Sequence, residues 1–186
     1  MQALIIKSSP NREGNTATLV KHLVRGLKEN DVEVTEFNVN EMNIQFCRGC
    51  NVCLESHMPD CVILDDMHQI YDAYMRSTLI VYATPIWWWH MNAQMKTVID
   101  RHHAFLYKDE YTENLKGKKV VLAVSYLHDD PDGVHLVERM FKSITDWSKS
   151  SLSVLSHHCE KGDVVDHPEK ICEAYELGVK LSQMIG

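Results

Sequence analysis

The chain has 186 residues, of which 45% are hydrophobic, 24% charged and 8% aromatic. That is enough for one sizeable core, and the composition excludes disordered and fibrous classes. Acidic residues outnumber basic ones 26 to 19, a formal charge of −7, so neither nucleic acid nor an anionic membrane is an expected partner.

Ala3–Ile6 is a short apolar run with no secretory pattern around it, and Leu79–Trp89, the longest apolar stretch, is too short to span a bilayer. A soluble, cytoplasmic protein is expected. In chain order, Ala3–Ile6 reads as a buried strand and Ser8–Asn15 as a turn-rich loop. Val20, Leu23, Val24 and Leu27 mark a helix. Val32–Phe37 alternates as a more exposed strand. Met67, Ile70, Tyr71 and Tyr74 mark a helix that Asp66 and Gln69 would open as a capping box. Leu79–Ala83 is a buried strand stopping at Pro85, and Met91, Met95, Val98, Ile99 and His102 share a helical face. Val120–Val124 is a fourth strand, followed by a loop from His128 to Gly133. Val137, Met140, Phe141 and Ile144 mark a helix, and Leu152–Leu155 a last strand. The final helix is expected to open near Asp166, with Pro168 in its first turn and Glu169 closing a capping box. Ile171, Ala174, Tyr175, Gly178 and Leu181 form its apolar face.

Five strands alternating with helical segments predict an α/β fold, a parallel sheet covered by helices on both faces and joined by right-handed crossovers. Ligands in such sheets sit beyond the carboxyl ends of the strands, where strand order reverses. Three loops occupy that position: Ser8–Thr16, Thr84–His90 and Ser125–Gly133.

The first loop offers hydroxyls, amides and a glycine at a helix N-terminus, the groups a phosphate needs; a polar turn with Asn15 as N-cap is the plain alternative. The sequence there is neither a Walker loop nor GxGxxG. In the second loop Trp87, Trp88 and Trp89 cannot all face the core. They suit contact with a flat conjugated ring, or packing against their own domain or a second subunit. In the third, Ser125, Tyr126 and His128 stand at a strand end before a turn that equally suits a helix cap.

Four of six cysteines, Cys47, Cys50, Cys53 and Cys61, lie within fifteen residues. Four thiolates at such spacing suit an iron–sulfur cluster. A reduced structural or redox-reactive loop, or a zinc site, would use the same residues. Cys159 and Cys172 read as small buried side chains and Asp65 and Asp66 as helix-start residues. The pairs His102–His103 and His157–His158 read as surface or partly buried histidines, and Met91 and Met95 as core or dimer surface.

SSPN-x-x-GNT, C-x-G-C-x-x-C followed by C-x-I-x-DDM, and TPIWW leading to AQMKTVIDR occur here in that order. The chain thereby resembles the NADPH-dependent FMN reductase family of the flavodoxin-like superfamily, especially its iron–sulfur flavoprotein branch. The resemblance implies a single flavodoxin-like domain over 1–186, strand order 2-1-3-4-5, a cysteine-rich loop at 44–64, and bound FMN. Ser8, Ser9, Asn15 and Thr16 match positions that hold the FMN phosphate, and Arg12 lies in the same loop. Thr84, Pro85, Ile86, Trp87 and Trp88 match the segment lining the isoalloxazine and ribityl chain. Ser125 and Tyr126 correspond to the third loop, which lacks the glycine-rich form common in relatives. In the iron–sulfur flavoproteins, cysteines at these four positions hold a 4Fe-4S cluster near the FMN of a neighbouring subunit, which implies a homodimer or homotetramer.

The function implied is an FMN-dependent oxidoreductase. It would take hydride from NAD(P)H and pass electrons to a quinone, free flavin, nitro compound or protein acceptor, with no side chain assigned as an obligate acid or base. An electron-transfer protein carrying FMN and a cluster, and a flavin carrier or sensor without turnover, are the alternatives.

Overall fold

The computed structural model describes residues 2–55, 61–105, 116–127, 132–159 and 163–184. Of the sequence-predicted features, His128, Asp129, Asp130 and Pro131 of the third loop and part of the 44–64 segment lie outside the described residues.

The strands are β1 (Gln2–Lys7), β2 (Glu33–Asn38), β3 (Leu79–Trp87), β4 (His90–Met91), β5 (Lys119–Tyr126) and β6 (Ser151–His158). The helices are α1 (Asn15–Lys28), the one-turn α2 (Val52–Glu55), α3 (Met67–Arg76), α4 (Ala93–Arg101), α5 (Asp132–Trp147) and α6 (Pro168–Met184). Five strands run parallel in the order β2-β1-β3-β5-β6, while β4 pairs antiparallel with the end of β3. Numbered among the parallel strands alone, this is the 2-1-3-4-5 order that the resemblance implies.

The continuous apolar runs result from burial on both faces. Leu4, Ile6, Ile80, Tyr82, Leu122 and Val124 pack into one layer with α3, α4 and α5. Their neighbours Ala3, Ile5, Val81, Ala83, Val121 and Ala123 pack into the other, with α1 and α6. The alternation of β2 reflects its place at the sheet edge, where no residue of Glu33–Asn38 is fully buried. Among the described residues no helix is long and apolar enough to cross a membrane.

Several local expectations are corrected. Strand β3 continues past Pro85 to Trp87. By Pro85 strand β1 has already ended and β5 is the only parallel partner, so the missing N–H interrupts no central ladder. Met91 belongs to β4, and α4 starts only after the N-cap Asn92. Asp66 does not cap α3 with its side chain; it accepts the Asn43 amide and the Gln69 side chain instead. The final helix opens at Pro168, after a short 3-10 turn over Val164–Asp166. Strand β6 extends to His158, which buries His157 and His158. Cys172 is exposed. His102 packs against Tyr74, Tyr82 and Phe105, its Nε2 is buried without a partner among the described residues, and burial pushes its imidazole down to about 3.

Helices α1 and α6 cross at two glycines. A Cβ on Gly178 would stand 2.2 Å from the Leu23 carbonyl oxygen, and one on Gly26 2.3 Å from that of Tyr175. Backbone cannot yield as a flexible side chain does, so Gly178→Ala is expected to destabilise the fold by about 1–3 kcal/mol. A lowered urea midpoint would show this; an unchanged midpoint would mean that the helices separate without cost.

Candidate functional site

The loops after β1 and β3 meet at one buried side chain that the sequence does not single out. The Asn92 amide donates to the Ser8 carbonyl oxygen at 2.6 Å, and its Oδ1 accepts the Thr84 hydroxyl at 3.2 Å and the Met95 N–H at 3.1 Å. The Asn92 backbone N–H donates to Thr84 Oγ1 at 3.3 Å. Asn92 therefore caps α4 and ties together two of the three strand-end loops. Ser8 adds a second tie, donating its N–H and its hydroxyl to the Ala83 carbonyl oxygen at 2.9 and 3.1 Å. Ser8 and Thr84 thus serve the loop framework, with side chains buried beneath it.

Helix α1 begins behind Gly14, an N-cap that brings no side chain to the helix end. The leading amides of α1 are left for other acceptors, together with the positive end of the helix dipole. A cavity of about 350 Å³ lies against this end, lined among others by Ser9, Asn11 and Thr16 and by two ion pairs, Lys7 with Glu36 and Arg12 with Glu41. Ser9 donates to the Asn11 carbonyl oxygen at 3.2 Å, and Arg12 pairs with Glu41 at 2.8 Å. Asn15 turns away from the loop: its amide donates to Cys159 Sγ at 3.1 Å and its Oδ1 accepts the Val164 N–H at 2.7 Å. Thr16 and Ser125 share a buried hydrogen bond of 2.6 Å that joins the first loop to the third.

The second loop is a two-residue hairpin whose tip is Trp88-Trp89, between the paired Trp87 and His90. Trp88 and Trp89 have φ of 49° and 61°, the left-handed conformation that such hairpins ordinarily give to Asn-Gly. Bulky side chains there store strain, which the surroundings must hold in place. Gly133 at the start of α5 permits it, since a Cβ would lie 2.9 Å from both Trp89 Cα and Ile86 Cγ2. Trp88 is 89% exposed and meets Trp89 edge-on at 5.2 Å. Beneath them a cavity of about 440 Å³ is lined by Pro85, Ile86, Trp87–Trp89, Ser125, Tyr126, Leu127, Gly133 and Cys159. None of these carries a formal charge. Tyr126 is held flat by His158, stacked at 5.0 Å and 10°.

The four clustered cysteines occupy the segment before α3. Cys53 is buried, Cys47 and Cys61 are half-buried and Cys50 is exposed. Burial pushes the Cys53 thiol up, and the neighbouring Cys61, Cys50 and Cys47 push it further. Among the described residues, no three His, Cys, Asp or Glu side chains converge closely enough to hold a single metal ion. A polynuclear cluster spreads its thiolates wider than a zinc ion does.

Asp65 is more than a helix-start residue. It accepts Arg101 through both oxygens, at 2.7 and 3.0 Å, with neither side chain exposed. Burial would raise the Asp65 carboxyl, but the hydrogen bonds from Arg101 and the Gln45 amide hold it below the usual carboxylate range. Among the described residues, Arg101 Nε is buried with no acceptor. Arg101 ends the AQMKTVIDR motif, yet a lone arginine on a helix gives no sign in sequence that it will be buried.

Residues 1–133 match the model of the family described as flavodoxin-like fold. The chain is 29% identical over 123 residues to an iron–sulfur flavoprotein of Archaeoglobus fulgidus, covering 66% of this chain and 55% of that protein. It is 31% identical over 109 residues to an iron–sulfur flavoprotein of Methanocaldococcus jannaschii, covering 59% of this chain and 54% of that one. The matched region thus spans about half the length of these relatives. Among solved structures, an NAD(P)H:quinone oxidoreductase from Methanothermobacter marburgensis superposes with a TM-score of 0.73 at 16% identity, over 97% of this chain and 96% of that chain. That likeness is one of fold.

Because Asn92 holds both loops and caps α4, Asn92→Ala is expected to cost about 2 kcal/mol in urea unfolding. A loss within experimental error would show that the two loops are held by other contacts.

Proposed function

The chain belongs to the flavodoxin-like fold family, and from that premise we propose that it binds FMN at the carboxyl ends of β1, β3 and β5 and acts as an NAD(P)H-dependent oxidoreductase. Electrons would pass to a quinone, free flavin, nitro compound or protein acceptor. The observation that carries this reading is a division of chemistry along one sheet edge. A polar cavity lies against uncapped helix amides on one side, and an uncharged cavity walled by indoles lies on the other. The Thr16–Ser125 hydrogen bond links the linings of the two.

The donors present fit a flavin mononucleotide. The leading amides of α1, with Ser9 and Thr16 beside them, suit the phosphate. Arg12 would reach it only by leaving Glu41. Pro85, Ile86, Trp87 and Tyr126 offer apolar and aromatic surface to a conjugated ring. The Trp88–Trp89 tip would shield the ring from water, and Asn92 would keep both loops in register. Bound FMN would supply hydride acceptance from the nicotinamide and electron delivery to the acceptor.

A second reading adds a 4Fe-4S cluster at Cys47, Cys50, Cys53 and Cys61, working as a one-electron relay. Two observations favour it: Cys47, Cys50 and Cys61 each push up the Cys53 thiol, and the Arg101 Nε–H, coupled electrostatically to Cys61, is buried with no acceptor among the described residues. The names of the A. fulgidus and M. jannaschii relatives support it further.

Anaerobically purified protein should be yellow, hold one FMN per chain and oxidise NADH or NADPH when a quinone is supplied. Flavin binding without turnover would favour a carrier, and colourless protein indifferent to FMN would contradict the proposal. Iron and inorganic sulfide at about four each per chain would support the relay; their absence after anaerobic reconstitution would reject it.

A further inference from the structure

Helix α4 is nine residues long, about 13 Å at the usual rise, and each end performs a task outside the helix. At its start Asn92 binds the loops after β1 and β3. At its last residue, Arg101 reaches the cysteine segment. Nη1 donates to the Gln45 carbonyl oxygen at 2.9 Å and to Asp65 Oδ2 at 2.7 Å. Nη2 donates to Asp65 Oδ1 at 3.0 Å and to the Ile63 carbonyl oxygen at 3.4 Å. Asp65 Oδ2 also accepts the Gln45 N–H at 2.8 Å, so the ion pair grips both polar groups of Gln45. Gln45 lies two residues before Cys47, and Ile63 two residues after Cys61.

We propose that Arg101 is the positioning residue of the four cysteines: with Asp65 it ties Gln45 and Ile63, which flank them in sequence, to the last turn of α4 and so sets the mutual placement of the four thiols. The chemistry of the pair supports this. Two fully buried charges are worth keeping together only when their geometry satisfies them, and removing either leaves the other unpaired. Only a planar guanidinium presents a fork to both carboxylate oxygens while bonding two carbonyls; a lysine ammonium lacks that shape.

Closer to Cys47, Cys50 and Cys53, Leu54 N–H donates to the Asn51 carbonyl oxygen at 2.8 Å and Arg48 to Gln45 Oε1 at 2.9 Å. These local contacts shape single turns, whereas the clamp fixes Gln45 and Ile63, and fixing the ends of a chain lowers the freedom of the cysteines attached to them. Tyr71 holds the arginine from the other side, its hydroxyl donating to the Arg101 carbonyl oxygen at 2.8 Å. The unused Nε–H stands as a spare donor for a sulfur-rich group held by the segment. The inference goes beyond the flavin reading and does not require it.

Dibromobimane, which bridges neighbouring thiols, tests the clamp on metal-free, reduced full-length protein, with the bridged pairs identified by peptide mass. The wild type should give bridges among Cys47, Cys50, Cys53 and Cys61. Arg101→Lys and Asp65→Asn, compared at a temperature where circular dichroism shows both folded, should bridge at least about fivefold more slowly, because the effective concentration of one thiol at another falls. Bridging at the wild-type rate in either folded variant would overturn the proposal. If neither variant folds, amide exchange in the wild type decides. The Gln45 N–H should be protected by Asp65, and exchange at the free-chain rate would overturn the clamp. FMN titration of the same proteins separates the two readings. Wild type that binds no FMN sinks the flavin proposal alone, while unaltered bridging sinks the clamp alone.

Discussion

Strand β1 pairs with β3 as far as Lys7 and Ala83, and the course of both strands beyond that point depends on how the next backbone groups are satisfied. The Asn92 amide takes the Ser8 carbonyl oxygen, and the same side chain takes the Thr84 hydroxyl and the Met95 N–H in the first turn of α4. A buried polar backbone group left unmade would cost more than an ordinary hydrogen bond gains. This one side chain therefore lets β1 end in the interior while β3 runs on to Trp87, and lets the two chain segments diverge. The crevice at the sheet edge exists because that divergence is stable.

The two sides of the crevice are built by opposite means. On the α1 side the helix end is left uncapped, with hydroxyls and amides around it. On the β3 side the chain takes on conformational strain, putting two tryptophans at positive φ, and Gly133 leaves room for their backbone. Strain of this kind persists only where surrounding contacts over-determine it. The Ile86–Met91 hairpin register and the close approach of α5 provide those contacts. Helix α4 then carries the order of the crevice to the cysteine segment through Arg101.

Much of this was legible in the residues. Unbroken apolar runs such as Leu79–Ala83 announced strands buried on both faces, and the helical stripes of α1, α3 and α5 announced their covers. The rule that ligands sit beyond the carboxyl ends of parallel strands points to three loops, and the fold brings their described residues to one edge. What stayed hidden were side chains whose role depends on distant partners. Asn92 and Arg101 carry no individual signal in the sequence and Asp65 reads as a helix-start residue, because the partner of each lies far along the chain. Asn15 was expected at a phosphate but faces Cys159 and Val164, a choice set by the returning C-terminal segment. The extension of β3 past Pro85 was likewise invisible, since a proline's cost depends on whether a neighbouring strand still runs beside it.

The central claim is that one half of the crevice answers to an anion and the other to a flat ring. Parallel fluorescence titrations of the flavin-free protein with FMN and with riboflavin test it directly, because the two ligands share the ring and differ only in the phosphate. The account predicts that FMN binds at least about a hundredfold more tightly, the value of one well-placed anion at a helix end together with its hydroxyl donors. Equal affinity for the two, or no binding of either, would contradict it.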